Sequence, residues 1–244
     1  MKPANTHVTG VLVTGKHTDR FAMARRAVKS WQLQEYDGPR QLLVINDHPT
    51  ESLYDPAAAP AGVLEVRMEE RHSLGRLRNI GIAAAPAESV YMVQWDDDDF
   101  SAPSRLQYQV ESTKSGQASI FRYEINYDLL TGNAFVNNGR AIRGGGFPGT
   151  MLWPLSTKAR FPDKGKAEDT EFVLALRSEL SVQVLRNDPR LYTRTYHGLN
   201  TWSQKHVMKR KPGSRDLSDH ERLYLESLRQ EGYFAILPTA KEPS

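Results

Sequence analysis

Apolar positions along the N-terminal half of the chain switch between two periods. Residues 8–13 form a continuous, β-branched apolar run that reads as a buried strand; after Thr14-Gly15-Lys16, Phe21, Ala24, Val28 and Trp31 recur at helical spacing. Residues 41–45 repeat the strand pattern and end in Asn46-Asp47-His48-Pro49, and residues 63–66 give a third run. Leu74, Leu77, Ile80 and Ala84 mark one side of a second helix, and residues 90–95 form a fourth strand that stops in Asp96-Asp97-Asp98-Asp99. This β-α-β-α order predicts an α/β fold with a mainly parallel central sheet and helices on both faces, linked right-handedly. Ligands in such sheets bind beyond the carboxyl ends of the strands, so Thr14, Asn46, Asp47 and the four Asp should converge on one crevice.

Adjacent carboxylates raise one another's proton affinity, and at the mouth of a buried strand they call for a cation. Strand alternation puts Asp96 and Asp98 on one side and Asp97 and Asp99 on the other. An Asp-x-Asp pair there suits Mg²⁺ or Mn²⁺. The competing reading is a solvated acidic turn that caps a helix starting at Pro103, with Ser101 nearby. Asp47 is placed either to accept hydrogen bonds from a base or ribose or to form an Asx turn before Pro49. No G-x-G-x-x-G follows the first strand and no Walker A sequence is present, which argues against a dinucleotide cofactor and a P-loop.

Composition narrows the picture further. The 244 residues, 39% hydrophobic, supply one sizeable core with an appendage. Without cysteine there are no disulfides, thiolate zinc sites or cysteine nucleophile. A net charge of +3 is too mild to imply nucleic acid, although it tolerates an anionic ligand or peripheral membrane contact. No run has membrane-spanning length or the form of a secretory leader, so the expectation is a cytoplasmic protein.

Several segments are similar to those of family 2 glycosyltransferases of the GT-A fold. Leu74-Gly75-Arg76-Leu77-Arg78-Asn79-Ile80-Gly81-Ile82-Ala83 resembles the family's G-x-x-x-R-N-x-G-x-x-x-A helix, and Asp96 to Pro103 its D-x-D-D-x-x-x-P metal-binding turn. Asn46-Asp47 resembles the D-D-G-S nucleotide corner, with Asn at the first Asp and His48-Pro49 replacing Gly-Ser. Phe161-Pro162-Asp163 followed by Glu168-Asp169-Thr170-Glu171-Phe172 resembles the segment that carries the family's catalytic base. The likeness runs over about residues 8 to 200.

The resemblance implies a Rossmann-like GT-A domain over residues 1–206, followed by a basic linker and short helical extension over 207–244. It implies transfer from a nucleotide-diphospho-sugar, UDP-sugar favoured, to a hydroxyl of a glycan, lipid-linked or small-molecule acceptor, with inversion. Asp98 would ligate the metal, and Asp96 would touch the ribose or metal. Asp97 would belong to the same donor site, and Asp99 would orient the sugar or cap the helix. Asp169 would be the base, with Glu168 second. Thr14, Asn46, Asp47, Arg76 and Arg78 would line the nucleotide side. His197 stands where such enzymes supply a late metal ligand, which favours Mn²⁺ over Mg²⁺. Trp202 is placed to stack on a sugar or to pack in the core. Gly144-Gly145-Gly146-Phe147-Pro148-Gly149 reads as a loop near sugar or diphosphate, a lid, or a hairpin connection. Residues 120–127 and 134–136 read as one hairpin, and Ser218 to Glu221 has capping-box form ahead of Leu223, Leu225 and Leu228. A homo-oligomer is compatible with all of this. A non-catalytic nucleotide or glycan binding module and a nucleotidyltransferase are the alternatives.

Overall fold

The computed structural model describes residues 5–141 and 145–234. The chain runs β1 (Val8–Thr14), α1 (Phe21–Gln32), β2 (Arg40–Asn46), β3 (Val63–Arg67), α2 (Leu74–Ala83), β4 (Tyr91–Gln94), β5 (Phe100–Ser101) and α3 (Arg105–Ser112). It continues through β6 (Ala118–Phe121), β7 (Tyr123–Asp128), β8 (Ala134–Asn138), β9 (Phe147–Pro154), α4 (Glu168–Glu179), β10 (Val182–Leu185), β11 (Tyr192–Tyr196), α5 (Gln204–Val207) and α6 (Asp219–Gln230).

A 7-stranded sheet has the order β10-β6-β9-β4-β1-β2-β3. β1 runs parallel to β2 and β4, and β2 to β3, while β9 is antiparallel to β4 and β6. The continuous apolar runs follow from burial on both faces. In β2, Leu42 and Val44 join the core under α1 and α3, whereas Leu43 and Ile45 join the core under α2 and α4. Close approach of α2 to its neighbours depends on glycine. A Cβ on Gly81 would stand 2.5 Å from Val11 Cγ1, and one on Gly75 would stand 1.9 Å from the Pro162 carbonyl oxygen.

A second, 4-stranded sheet has the order β5-β11-β7-β8. The anticipated strand over 120–127 is therefore two strands in two sheets. Asn187 marks the break: its Oδ1 accepts from the backbone N–H of Arg122 and of Tyr123, both at 3.0 Å. Helix α6 starts at a capping box on Ser218 and Glu221. It buries Leu225 and Leu228 against Phe100 and Ile125, while Leu223 points outward. The Lys209 to Lys211 stretch, expected as a linker, is seated on β8, where Asn137 donates to Lys209 O at 3.2 Å and accepts from Lys211 N at 3.0 Å. Among the described residues no helix is long and apolar enough to cross a membrane.

Candidate active site

A cavity of about 570 Å³ opens at the carboxyl ends of β1, β2 and β4, between the acidic turn and the start of α4. β4 ends at Gln94, so the four Asp form a turn rather than a continued strand. That local geometry overturns the expected alternation, and the carboxylates pair 97 with 98 and 96 with 99 instead. Arg20 Nε donates to Asp97 Oδ2 at 3.0 Å, while its Nη2 reaches both Asp97 Oδ1 and Asp98 Oδ2, the latter at 3.0 Å. The Tyr192 hydroxyl bonds Asp99 and stands 3.4 Å from Asp96 Oδ2. Asp99 also accepts from Thr195 N at 2.9 Å, so it binds β11 and does not cap α3, whose N-cap is Ser104.

These partners separate the protonation tendencies of neighbouring groups. Burial opposes ionisation of Asp98, but the Arg20 charge and the His197 hydrogen bond outweigh it and hold the carboxyl well below its usual range. Burial, joined by the Asp98 and Asp96 charges, pushes Asp99 far up. One turn thus offers an ionised carboxylate beside a carboxyl that favours its proton.

Helix α2 ties this turn to the start of α4. Arg78 Nη2 binds Asp96 Oδ1 at 3.1 Å, its Nη1 binds Glu168 Oε1 at 2.9 Å, and its guanidinium lies over Phe161. Asn79 donates to Phe161 O at 2.8 Å and accepts from Phe161 N at 2.9 Å. Arg78 is therefore a buried strut, not a free nucleotide contact. Arg76 is exposed on the outer face of α2, away from the cavity lining. Glu168 is 3% exposed, and burial raises its proton affinity against the pull of Arg78. Asp169 lines the cavity, accepts from Thr170 N at 2.6 Å, and has no cation within ion-pair distance among the described residues. Ala167, just before α4, is held in the left-handed region at φ 59°. Such a conformation in a residue with a Cβ often marks a functional turn.

The corner that follows β2 divides in two. Asp47 lines the cavity and accepts from His72 N at 3.0 Å, so it holds the 71–72 segment; Thr14 lines it as well. Asn46 is fully buried and donates to Glu51 O at 2.8 Å and Glu65 Oε1 at 2.6 Å, folding the following loop instead of facing the cavity. Gly144 lies outside the described residues. Gly145 and Gly146 pack against Val184 and Ile120, away from the cavity, and the strand anticipated at 150–153 begins at Phe147. Trp202 is no core residue: it lines the cavity mouth, stacked on His206 at 4.2 Å.

Arg20, Arg194 and Asn200 also line this cavity, the buried Tyr192 supports it through Asp99, and none of the four carries a sequence signature of its own. Tyr192 and Arg194 are two residues apart on β11, a spacing that puts both on one face. Arg20 is one polar residue between a strand and a helix, and its partners lie far away in sequence.

Asp98 Oδ2 and His197 Nε2 are 3.1 Å apart. Two donors on adjacent vertices of an octahedral ion with bonds of about 2.1 Å stand about 3.0 Å apart, so this pair fits two neighbouring positions on a divalent cation. Asp96, turned to Arg78 and Tyr192, does not join them. Among the described residues no group of three or more His, Asp or Glu could hold a metal. The remaining ligands would come from water and a bound phosphate, as is usual for Mg²⁺.

The sequence profile of glycosyl transferase family 2 matches residues 18–161, more than half of the chain, and the chain belongs to that family. Its fold is that of GT-A glycosyltransferases. It superposes on S. aureus TarS 1-349 in complex with UDP-GlcNAc with a TM-score of 0.61 and 14% identity, over 97% of this chain and 68% of that chain. TarS 1-349 in complex with UDP gives a TM-score of 0.59 and 15% identity, over 78% and 61%. The mannosyltransferase PcManGT from Pyrobaculum calidifontis, in complex with GDP-Man and Mn²⁺, gives 0.57 and 13%, over 78% and 57%. In the last two comparisons this chain spans about three fifths of the neighbour's length. No curated protein matches the chain.

Proposed function

We propose that this protein is a metal-dependent, inverting glycosyltransferase that moves a sugar from a nucleotide-diphospho-sugar to an acceptor hydroxyl. The observation that carries the reading is the contrast at the start of α4: Glu168 is locked to Arg78, while Asp169, without an ion-pair partner among the described residues, lines the same cavity as Asp98, whose Oδ2 contacts the buried His197. Asp169 takes the acceptor proton as the hydroxyl oxygen attacks the anomeric carbon. The bond from that carbon to the phosphate oxygen breaks, and its electron pair leaves with the nucleoside diphosphate. A single carboxylate on the acceptor side gives direct displacement and inversion. Asp98 and His197 hold the divalent ion, Mn²⁺ favoured, whose chemistry when bound is to neutralise charge on the leaving diphosphate. Thr14 and Asp47 sit on the nucleotide side. Glu168, Arg78 and Asp96 position the base-bearing turn against the acidic turn. UDP is the favoured nucleotide and the cytoplasm the favoured location.

A thermal-shift screen of UDP, GDP, dTDP and CMP, each with Mn²⁺, Mg²⁺ or EDTA, tests this. Ligand at about 100 times its dissociation constant adds roughly 2.7 kcal/mol, or about 5 to 10 °C in a chain of this size. The expected result is a shift with one nucleoside diphosphate that EDTA abolishes. No shift with any of them, or one indifferent to metal, would overturn the reading.

A further inference from the structure

Arg20 is doubly committed within the site. Its Nε and Nη2 already form a two-point clasp on Asp97, a carboxylate that is 3% exposed. Its Nη2 also reaches Asp98 Oδ2 at 3.0 Å, the same oxygen that His197 Nε2 approaches at 3.1 Å. Its Nη1 donates to Leu199 O at 3.1 Å, in the loop that carries His197 and Asn200. The side chain is 13% exposed and lines the cavity.

We infer that Arg20 is a diphosphate-binding residue that exchanges partners: without ligand its Nη2 neutralises Asp98 in place of the divalent ion, and when ion and diphosphate enter together it releases Asp98 and turns that N–H to a phosphate oxygen, pivoting on Asp97. This rests on the nucleotide-sugar reading above. Three observations support it. A guanidinium and a divalent cation on one carboxylate oxygen repel each other across a few ångströms, so the Arg20 contact and the metal compete for Asp98. Nη2 carries two N–H groups, and with Nε also on Asp97, releasing Asp98 costs one contact and leaves the guanidinium anchored on a buried carboxylate and charged. A planar guanidinium with a freed N–H at the lip of a cavity is suited to a phosphate oxyanion. The strut Arg78 provides the contrast: its two carboxylates, the half-buried Asp96 and the buried Glu168, are not the metal pair.

The test separates two affinities. Mn²⁺ binding to the nucleotide-free protein is measured by the electron paramagnetic resonance signal of free Mn²⁺, and UDP binding at saturating Mn²⁺ by calorimetry, with GDP substituted if it is the nucleotide that stabilises the parent. Arg20→Gln should bind Mn²⁺ alone at least threefold tighter, because a competitor is gone, and the nucleotide at least tenfold weaker. A purely architectural Arg20 would weaken both. Arg20→Lys, which keeps a charge without the fork, should leave Mn²⁺ affinity within twofold and still weaken the nucleotide; it carries the test if the Gln variant does not fold. Unchanged or weaker Mn²⁺ binding in Arg20→Gln, or unchanged nucleotide affinity in either variant, overturns the inference. If the parent binds none of UDP, GDP, dTDP and CMP with Mn²⁺, the glycosyltransferase reading falls with it. A parent that binds, with Arg20→Gln failing to gain Mn²⁺ affinity or either variant failing to lose nucleotide affinity, sinks the Arg20 exchange alone.

Discussion

On the floor of the cavity, the buried Arg78 links the half-buried Asp96 to the buried Glu168 with contacts of 3.1 and 2.9 Å. At the rim, Asp169 is the next residue after Glu168, yet among the described residues it has no cation at ion-pair distance. Arg194, also facing the cavity, has no hydrogen bond or ion pair from its guanidinium among the described residues; burial opposes its charge, but Glu124, Asp99 and the Tyr192 oxygen overcome that and keep it protonated. The floor thus consists of charges that satisfy each other, and the rim of charges left available to a ligand. A charge without an ion-pair partner is free to react or bind; a paired one such as Arg20 or Asp98 binds only by exchanging a partner. Charges lining a cavity are normally paired, so charges there without an ion-pair partner are a functional signal.

The sharpest test of that division is at α4. Asp169→Asn should lower transfer by at least the about 10² to 10⁴-fold that general base catalysis supplies, with nucleotide affinity preserved. Glu168→Gln should lower it far less and mostly through stability. Single-turnover rates on the two variants decide the matter, and equal losses would erase the distinction between floor and rim.

Arg78→Met comes next. Removing one partner of a buried ion pair costs about 3 to 5 kcal/mol, because the orphaned charges stay buried. Here Glu168, 3% exposed, would lose its ion-pair partner and Asp96 would keep only Gln94 and Tyr192, which predicts a midpoint lowered by about 10 °C or more. A thermal melt within a few degrees of the parent would mean that Arg78 serves the ligand, not the floor.

Glu124 sharpens the comparison through pH. It lies on β7 at 2% exposure, and burial, only partly offset by Arg194, pushes its pKa up to about 7. A folded-state value above the unfolded one means that the protonated carboxyl stabilises the fold. That contribution is complete below about pH 4.5 and is lost as pH rises through 7. The span of 4.5 to 7 corresponds to about 3 kcal/mol. Glu124→Gln, which cannot ionise, should therefore melt several degrees above the parent at pH 8 and close to it at pH 5. The same offset at both values would show that Glu124 does not titrate in this window.

The parallel sheet was legible because burial on both faces writes continuous apolar runs, and residues 41–45 carry both cores in alternate positions. Helix α2 was legible as a motif, but its meaning was not: Gly75 and Gly81 serve close packing, Asn79 pins Phe161, and Arg78 joins two carboxylates. The acidic turn was visible, while its pairing was not, because β4 ends at Gln94 and the period of a strand no longer applies. Arg20 and Tyr192 reach that turn across 77 and 93 residues of sequence, and nothing local announces them. Asn46 looked like a ligand contact because it ends a strand, and it proves to be spent on its own loop.

Arg76 supplies the smallest predicted effect and the control. It lies two residues before Arg78 on the same helix, and its exposed side chain faces away from the cavity. A substitution at an exposed helical position that touches no cap or ion pair usually changes stability by less than about 0.5 kcal/mol. Its backbone N–H, not its side chain, serves the helix by donating to the Ser73 hydroxyl at 3.1 Å, and alanine keeps that bond. Arg76→Ala should therefore melt with the parent and bind the nucleotide with an affinity within twofold. A tenfold loss in calorimetry would mean that the donor reaches around the N-terminal end of α2 onto its outer face, and the boundary between the structural floor and the binding rim would then have to be redrawn through that helix.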